Sequence, residues 1–294
     1  LRMSRGLGDV YKRQAYTETE NELTVKANKR TFIFSKKDGQ LKGVSVDNRK
    51  INFANGPRFI GARRADRSLD QFYNHDDEKA KEKDRTYSEF PDAAVFTKLD
   101  VKEDGGNLVV TANYKLGNLD KAQWTINPSG ELALDYTYNF SGVVDLMGIR
   151  FDYPEDQVIS KRWLGAGPYR VWQNRIHGTQ YDVWENDYND PIPGETFTYP
   201  EFKGYFGDVS WMNIQTKEGT ISLTNETPDA YIGVYQPRDG RDRLLYTLPE
   251  SGISVLNVIP PVRNKVNSTD LCGPSSQPKW VNGPQTGRVI FRFM

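Results

Sequence analysis

The chain is short of the side chains on which most catalytic chemistry depends. Its 294 residues hold one cysteine, Cys272, and two histidines, His75 and His177. A single cysteine excludes an internal disulfide and any cysteine-rich zinc site, and it leaves the redox compartment open. Two isolated histidines give no pair at metal-ligand spacing, and neither lies in a nucleophile motif that would use it as a base. Net charge is also missing, with Lys+Arg and Asp+Glu balanced at 39 each. That balance removes any charge-based reason to expect a nucleic-acid or anionic-membrane partner. No apolar run approaches the roughly 20 residues of a spanning helix, and no signal peptide is visible, so a soluble chain without a membrane partner is expected. There is no Gly-rich phosphate loop, because the glycines of Trp163-Leu164-Gly165-Ala166-Gly167-Pro168 follow a strand pattern without leading into a helix. No fixed-period repeat occurs, which argues against a propeller or a solenoid.

What the sequence does have is alternation. From Asn21 onward, short β-branched and aromatic runs with a period of two are separated by turn residues. Glu22–Lys26, Thr31–Ser35 and Leu41–Asp47 read as an opening meander, with Asp38-Gly39 supplying the positive φ of a hairpin turn. Asn55-Gly56-Pro57-Arg58 reads as a break in the sheet. Asp66–Pro91 is heavily charged and reads as an irregular connection with one short helix. Strands resume at Lys98–Lys102, Leu108–Lys115, Ala122–Asn127 and Glu131–Phe140, with turns at Asp104–Asn107 and Pro128–Gly130. Further runs follow at Met147–Tyr153, Val158–Trp163, Val209–Thr216, Thr220–Thr224, Ala230–Gln236, Gly252–Ile259 and Arg288–Phe293. Well over a dozen strands without a convincing amphipathic helix define an all-β chain, and that many antiparallel strands pack most easily as two large sheets. Leu1–Gln14 has no periodicity and resembles translated adapter read-through. It is set aside as a non-native or disordered tail, leaving 15–294 as one long all-β domain, and the native N-terminal side is expected to be missing.

The aromatic residues are concentrated. Trp163–Trp211 contains Trp163, Trp172, Trp184 and Trp211, four of the six tryptophans. Tyr169-Arg170-Val171-Trp172-Gln173-Asn174-Arg175 and Gln180–Asp190 interleave aromatics with Asn, Asp and Arg, a composition able to stack on sugar faces while bonding hydroxyls. The competing reading places Trp163, Trp172 and Trp184 in the core, tying loops to the sheet. Asp182, Glu185, Asp187 and Asp190, with Glu201, are candidate carboxylates for glycoside chemistry, for a structural Ca²⁺ or Mg²⁺, or for nothing more than turns and a polar rim. His177 with a distant Glu would be needed for an epimerase that opens a sugar ring. No cofactor is implied.

Trp163–Arg175 resembles the W-x-G-x-G-P-x-E-N-Y-x-D-R signature in the C-terminal domain of family 2 glycoside hydrolases of the β-galactosidase type. Lys37–Asp47 and Gly56–Arg63 are similar to the K-x-G-x-L-x-S-x-x-x-D-G and G-P-x-x-x-x-R segments of the same domain, and Tyr199–Trp211 to a later one. The resemblance spans about Glu22 to Met294. It implies an antiparallel two-sheet supersandwich related to galactose mutarotases, without catalytic residues, following a TIM barrel that carries both catalytic Glu residues. The implied parent is an exo-acting, retaining enzyme releasing terminal β-galactosides from oligo- or polysaccharides. Carbohydrate and the upstream barrel are then the expected partners, and a periplasmic or exported location is expected. Two departures bear on the sugar. Arg170-Val171-Trp172 stands where the family has E-N-Y, and Val258–Lys265 replaces a late motif whose aromatic walls the sugar pocket. Asn264, Lys265 and Trp280, in the stretch Ile259–Gly283, are the candidate contacts with substrate. A stand-alone carbohydrate-binding module and an aldose 1-epimerase-like enzyme are the alternatives.

Overall fold

The computed structural model describes residues 14–64, 87–188, 202–235, 248–262 and 273–294. The first strands are β1 (Ala15–Glu18), β2 (Glu22–Ala27), β3 (Arg30–Ser35), β4 (Leu41–Val46), β5 (Arg49–Ile51), β6 (Ala54–Arg64) and β7 (Tyr87–Glu89). Then come β8 (Val95–Asp104), β9 (Asn107–Lys115), β10 (Leu119–Ile126), β11 (Leu132–Val144), β12 (Leu146–Asp152) and β13 (Val158–Gly167). The last are β14 (Gln180–Asp187), β15 (Trp211–Thr216), β16 (Gly219–Asn225), β17 (Tyr231–Val234), β18 (Ile253–Val258) and β19 (Lys279–Phe293). The described residues contain no α-helix, only short 3₁₀ segments such as Glu155–Gln157 and Pro274–Ser276.

These strands make two sheets. The first runs β1-β2-β3-β4-β6-β12-β18-β17, with β5 beside β4 and β7 beside β6. The second runs β14-β13-β15-β16-β19-β11-β10-β9-β8. Every ladder between named strands is antiparallel. Hairpin chemistry explains the local pairings. Gly39 (φ 73°) closes the β3–β4 turn with its N–H on the Ser35 carbonyl at 2.9 Å, and Gly105 and Gly106 turn β8 into β9 with φ of 57° and 83°.

Period-two alternation then sorts the side chains. Leu23, Val25, Phe32, Phe34, Phe59, Ile149 and Phe151 of the first sheet meet Trp124, Leu134, Phe291 and Phe293 of the second in one continuous core. Phe53, leading into β6, lies at its centre, 4.8 Å from the Phe151 ring and 5.0 Å from Phe291. Trp124 contacts both Phe34 and Phe151. The other face of the first sheet carries a second, smaller cluster. There Ile60, Ala62, Leu146 and Leu256 are covered by Val171, Trp172, Tyr205, Leu248, Ile259 and Val262 from the connecting segments.

Three sequence expectations are corrected. The break expected at Asn55–Arg58 is absent, since β6 runs through it. Arg150 pairs with Arg58 and Asp152 with Ala54, so a bulge absorbs Asn55–Pro57 and the missing N–H of Pro57 costs no regular ladder bond. Asp182, Glu185 and Asp187 lie within a strand, because β14 pairs with β13 along its whole length. Trp280 belongs to β19, where β11 continues to Val144 and supplies a partner for every residue from Lys279 to Phe291. The helix expected in Asp66–Pro91 falls largely on 65–86, outside the described residues, although Tyr87–Glu89 is strand.

Candidate functional site

The first tryptophans of the Trp-rich segment are interior. Trp163 and Trp172 have no solvent exposure, and Trp184 is half-buried against the main core. The glycines of Trp163–Pro168 explain how other segments come so close. A Cβ at Gly165 would lie 2.9 Å from the Gly207 carbonyl oxygen, and one at Gly167 would lie 2.4 Å from the Trp184 indole. Trp163 faces the core, edge-on to Phe206 at 4.9 Å, and its indole N–H donates to the Ala166 carbonyl at 3.1 Å.

Gln173 and Asn174, five and six residues after Pro168 of the G-x-G-P turn, have a separate task. Asn174 donates to the Val262 carbonyl at 2.7 Å and accepts from the Val262 N–H at 2.9 Å, and its amide also reaches Ser276 Oγ at 2.9 Å. The Gln173 amide donates to the carbonyls of Ser275 and Gln277, each at 2.7 Å. The two amides thus hold Val262 and Ser275–Gln277, two points within the stretch expected to carry substrate contacts. Of those expected contacts, Asn264 and Lys265 lie outside the described residues. Trp280 projects from β19 with 72% of its surface exposed.

The carboxylates expected as a cluster are divided by strand alternation. Glu185 and Asp187 share one face of β14, Asp182 takes the other, and Asp190 and Glu201 are outside the described residues. Among the described residues no group of three or more His, Cys, Asp or Glu side chains could hold a metal ion. No helix of the described residues is long and apolar enough to cross a membrane. His177 is exposed, its carbonyl accepting from Tyr169 Oη at 3.0 Å, and His75 is outside the described residues.

A cleft among the described residues was not anticipated. A cleft of about 760 Å³ opens on the outer face of the first sheet, beside the covered cluster, and its lining includes Lys50, Asn55, Arg58, Arg150, Asp152 and Tyr235. Arg58 and Arg150 are direct cross-strand partners, on the face opposite Phe59, Ile149 and Phe151. Two like charges so placed repel, and each is answered by its own acceptors. Arg58 gives Nε to the Asn55 carbonyl at 2.9 Å and Nη2 to Asp152. Arg150 gives Nη1 to the Glu250 carbonyl and Nη2 to Glu89 at 3.5 Å, while its buried Nε has no hydrogen-bond partner. Asn55 bridges Asp152 at 2.9 Å and Lys42 at 3.2 Å. Tyr235 Oη donates to the Tyr153 carbonyl, and Tyr153 Oη to Glu218 at 3.0 Å. Burial above all, and nearby carboxylates as well, push both phenols up from their ordinary range, so they remain neutral donors. The cleft therefore offers fixed donors and acceptors of both signs. Its residues were missed because polar side chains that alternate with apolar ones, as in Ile149-Arg150-Phe151-Asp152, read as the solvated face of a strand.

Two large antiparallel sheets packed face to face, with the outer face of one roofed in part by loops, define an all-β supersandwich. Within that class the chain belongs to the beta galactosidase small chain family, whose profile matches residues 26–263. No curated protein matches it. Similar solved structures include a galactose 1-epimerase from Lactobacillus acidophilus, 9% identical with a TM-score of 0.47 over 96% of this chain and 98% of that one. An aldose epimerase homologue from C. elegans is 7% identical with a TM-score of 0.42 over 96% and 99% of the two chains. A galactose mutarotase-like protein from Lactobacillus casei is 10% identical, also at a TM-score of 0.42, over 96% and 100%. None of these likenesses bears on activity in this chain.

Proposed function

We propose that this chain is the non-catalytic supersandwich portion of an exo-acting family 2 glycoside hydrolase, whose parent releases terminal β-linked galactose from oligo- or polysaccharides. The family match over residues 26–263 carries this reading. The interior placement of Trp163 and Trp172 supports it, since the most family-specific segment then works as packing rather than as a sugar platform. The acid/base and nucleophile would be two Glu residues of a barrel in the same polypeptide, which this domain flanks. Exposed His177, lying outside the polar cleft, favours this reading over an epimerase acting alone.

Extending the gene upstream is the decisive experiment. A reading frame that continues into an α/β barrel with paired Glu residues, and whose product cleaves a chromogenic β-galactoside, is the expected result. A frame without such a barrel overturns the proposal. Proton NMR of galactose anomer exchange should show no acceleration by the purified chain. Acceleration abolished in His177→Ala would replace this reading with the epimerase.

A further inference from the structure

We propose that the polar cleft on the outer face of the first sheet is a binding subsite for an uncharged glycan segment, lined by none of the described residues of the Ile259–Gly283 stretch. The proposal rests on the reading of the chain as part of a glycan-cleaving enzyme and adds to it a place and a ligand chemistry.

Three observations converge on the cleft. Its volume, about 760 Å³, lies within the range of concavities that hold small ligands. Its polar groups are held firmly yet not exhausted. A guanidinium has five N–H donors, and Arg58 and Arg150 each spend two of their nitrogens on protein, which leaves Arg58 Nη1 and the second N–H of each engaged Nη group free to donate. Both Asp152 oxygens are engaged, by Arg58 and Asn55, and each keeps a second lone pair.

The third observation is backbone strain. Asn55 and Tyr235, both lining the cleft, are non-glycine residues with φ of 53° and 60°. Asn tolerates the left-handed region better than most residues, whereas the bulky Tyr235 is a true outlier there, and such outliers collect where a structure is held ready for a ligand. Tyr235 is fixed at both ends, its N–H on the Gly252 carbonyl at 2.6 Å and its hydroxyl on the Tyr153 carbonyl. Asn55 is fixed through three groups, its carbonyl on Arg58 and its amide between Lys42 and Asp152.

Charge selects the ligand class. Lys42, Lys50, Arg58 and Arg150 share the lining with Asp152, Glu155 and Glu250. A phosphate or uronate would meet the carboxylates, and a metal ion would meet the four cations. A pyranose hydroxyl both donates and accepts, so it suits a lining that presents both functions in fixed positions.

The test is titration of the purified chain with neutral β-galactobiose and cellobiose, followed by calorimetry and ligand-detected NMR, with galacturonate and inorganic phosphate as charged probes. A neutral disaccharide is expected to bind. Asn55→Gly keeps the left-handed backbone while removing the amide, and Lys50→Ala removes an exposed side chain. Each should weaken binding about tenfold, Lys50→Ala without lowering the melting temperature, whereas Lys121→Ala on the second sheet should change nothing. If Asn55→Gly does not fold, Lys50→Ala alone decides. Absence of any disaccharide binding at millimolar concentration, binding unchanged in the cleft variants, or tighter binding of phosphate or galacturonate at this site would each overturn the proposal. Binding by a chain whose gene lacks an upstream barrel would uphold this subsite while removing the glycosidase reading.

Discussion

Gly165 and Gly167 make the W-L-G-A-G-P turn intelligible as packing, one residue at a time. At Gly165 the obstacle to a methyl group is backbone: the Gly207 carbonyl oxygen at 2.9 Å, the Val209 Cα at 3.0 Å and the Asp208 carbonyl oxygen at 3.1 Å. Backbone relaxes poorly, so Gly165→Ala should cost about 1–3 kcal/mol, the usual range for overpacking. Gly43 is the control, because its Cβ would meet only Ile33 Cδ1 at 3.9 Å, an ordinary contact. Gly43→Ala should shift the urea midpoint by little, and equal shifts in both variants would contradict the close-approach account. Tryptophans separate in the same way. Trp172, unexposed and edge-on to Tyr205 at 5.9 Å, should lose about 3–5 kcal/mol on truncation to Ala. Trp280, 72% exposed, should lose less than about 0.5 kcal/mol in the same denaturant series. The core reading of Trp163 and Trp172 was available from the sequence only as one of two alternatives, because an aromatic beside Asn and Arg looks alike in a core and on a sugar-binding face.

At the scale of elements, alternation made most strands legible, and the misses have physical causes. β14 was hidden because both its faces carry polar or exposed residues, so Gln180–Asp187 lacks the apolar half of the pattern. The first half of β19 was hidden because Gly283, Pro284 and Gly287 look like loop, yet a strand paired on one side tolerates all three. β19 pairs with β11 from Lys279 to Phe291, but among the described residues β16 joins its other side only from Val289 to Phe293. Hydrogen exchange should read this difference. Amides of 289–291, paired on both sides, should all be strongly protected. From 279 to 287, alternate amides that face away from β11 should exchange orders of magnitude faster than their neighbours. Uniform protection along 279–287 would mean that another strand covers this edge.

For the whole molecule, the fold class followed from strand count and turn spacing, whereas the cleft did not. Its lining is gathered from β4, β5, β6, β12 and the segments after β12, after β17 and before β18, so no local window of sequence contains the constellation. Only the register that sets Arg150 opposite Arg58 brings it together. The same long-range register governs stability. One continuous core joins residues of both sheets, and its central aromatic contacts cross between them, as in Phe34–Trp124 and Phe151–Phe291. Neither sheet can release its inner face to water without exposing the other's, and the outer cluster around Trp172 stands on strands of the first sheet. The 294-residue chain should therefore unfold in one cooperative step despite its length. Tryptophan fluorescence, which reports on fully buried Trp124, Trp163 and Trp172, and far-ultraviolet circular dichroism, which reports on the strands, should give coincident urea transitions. Two separated transitions would mean that the sheets can part, and the shared core would then hold less of the molecule together than its contacts indicate.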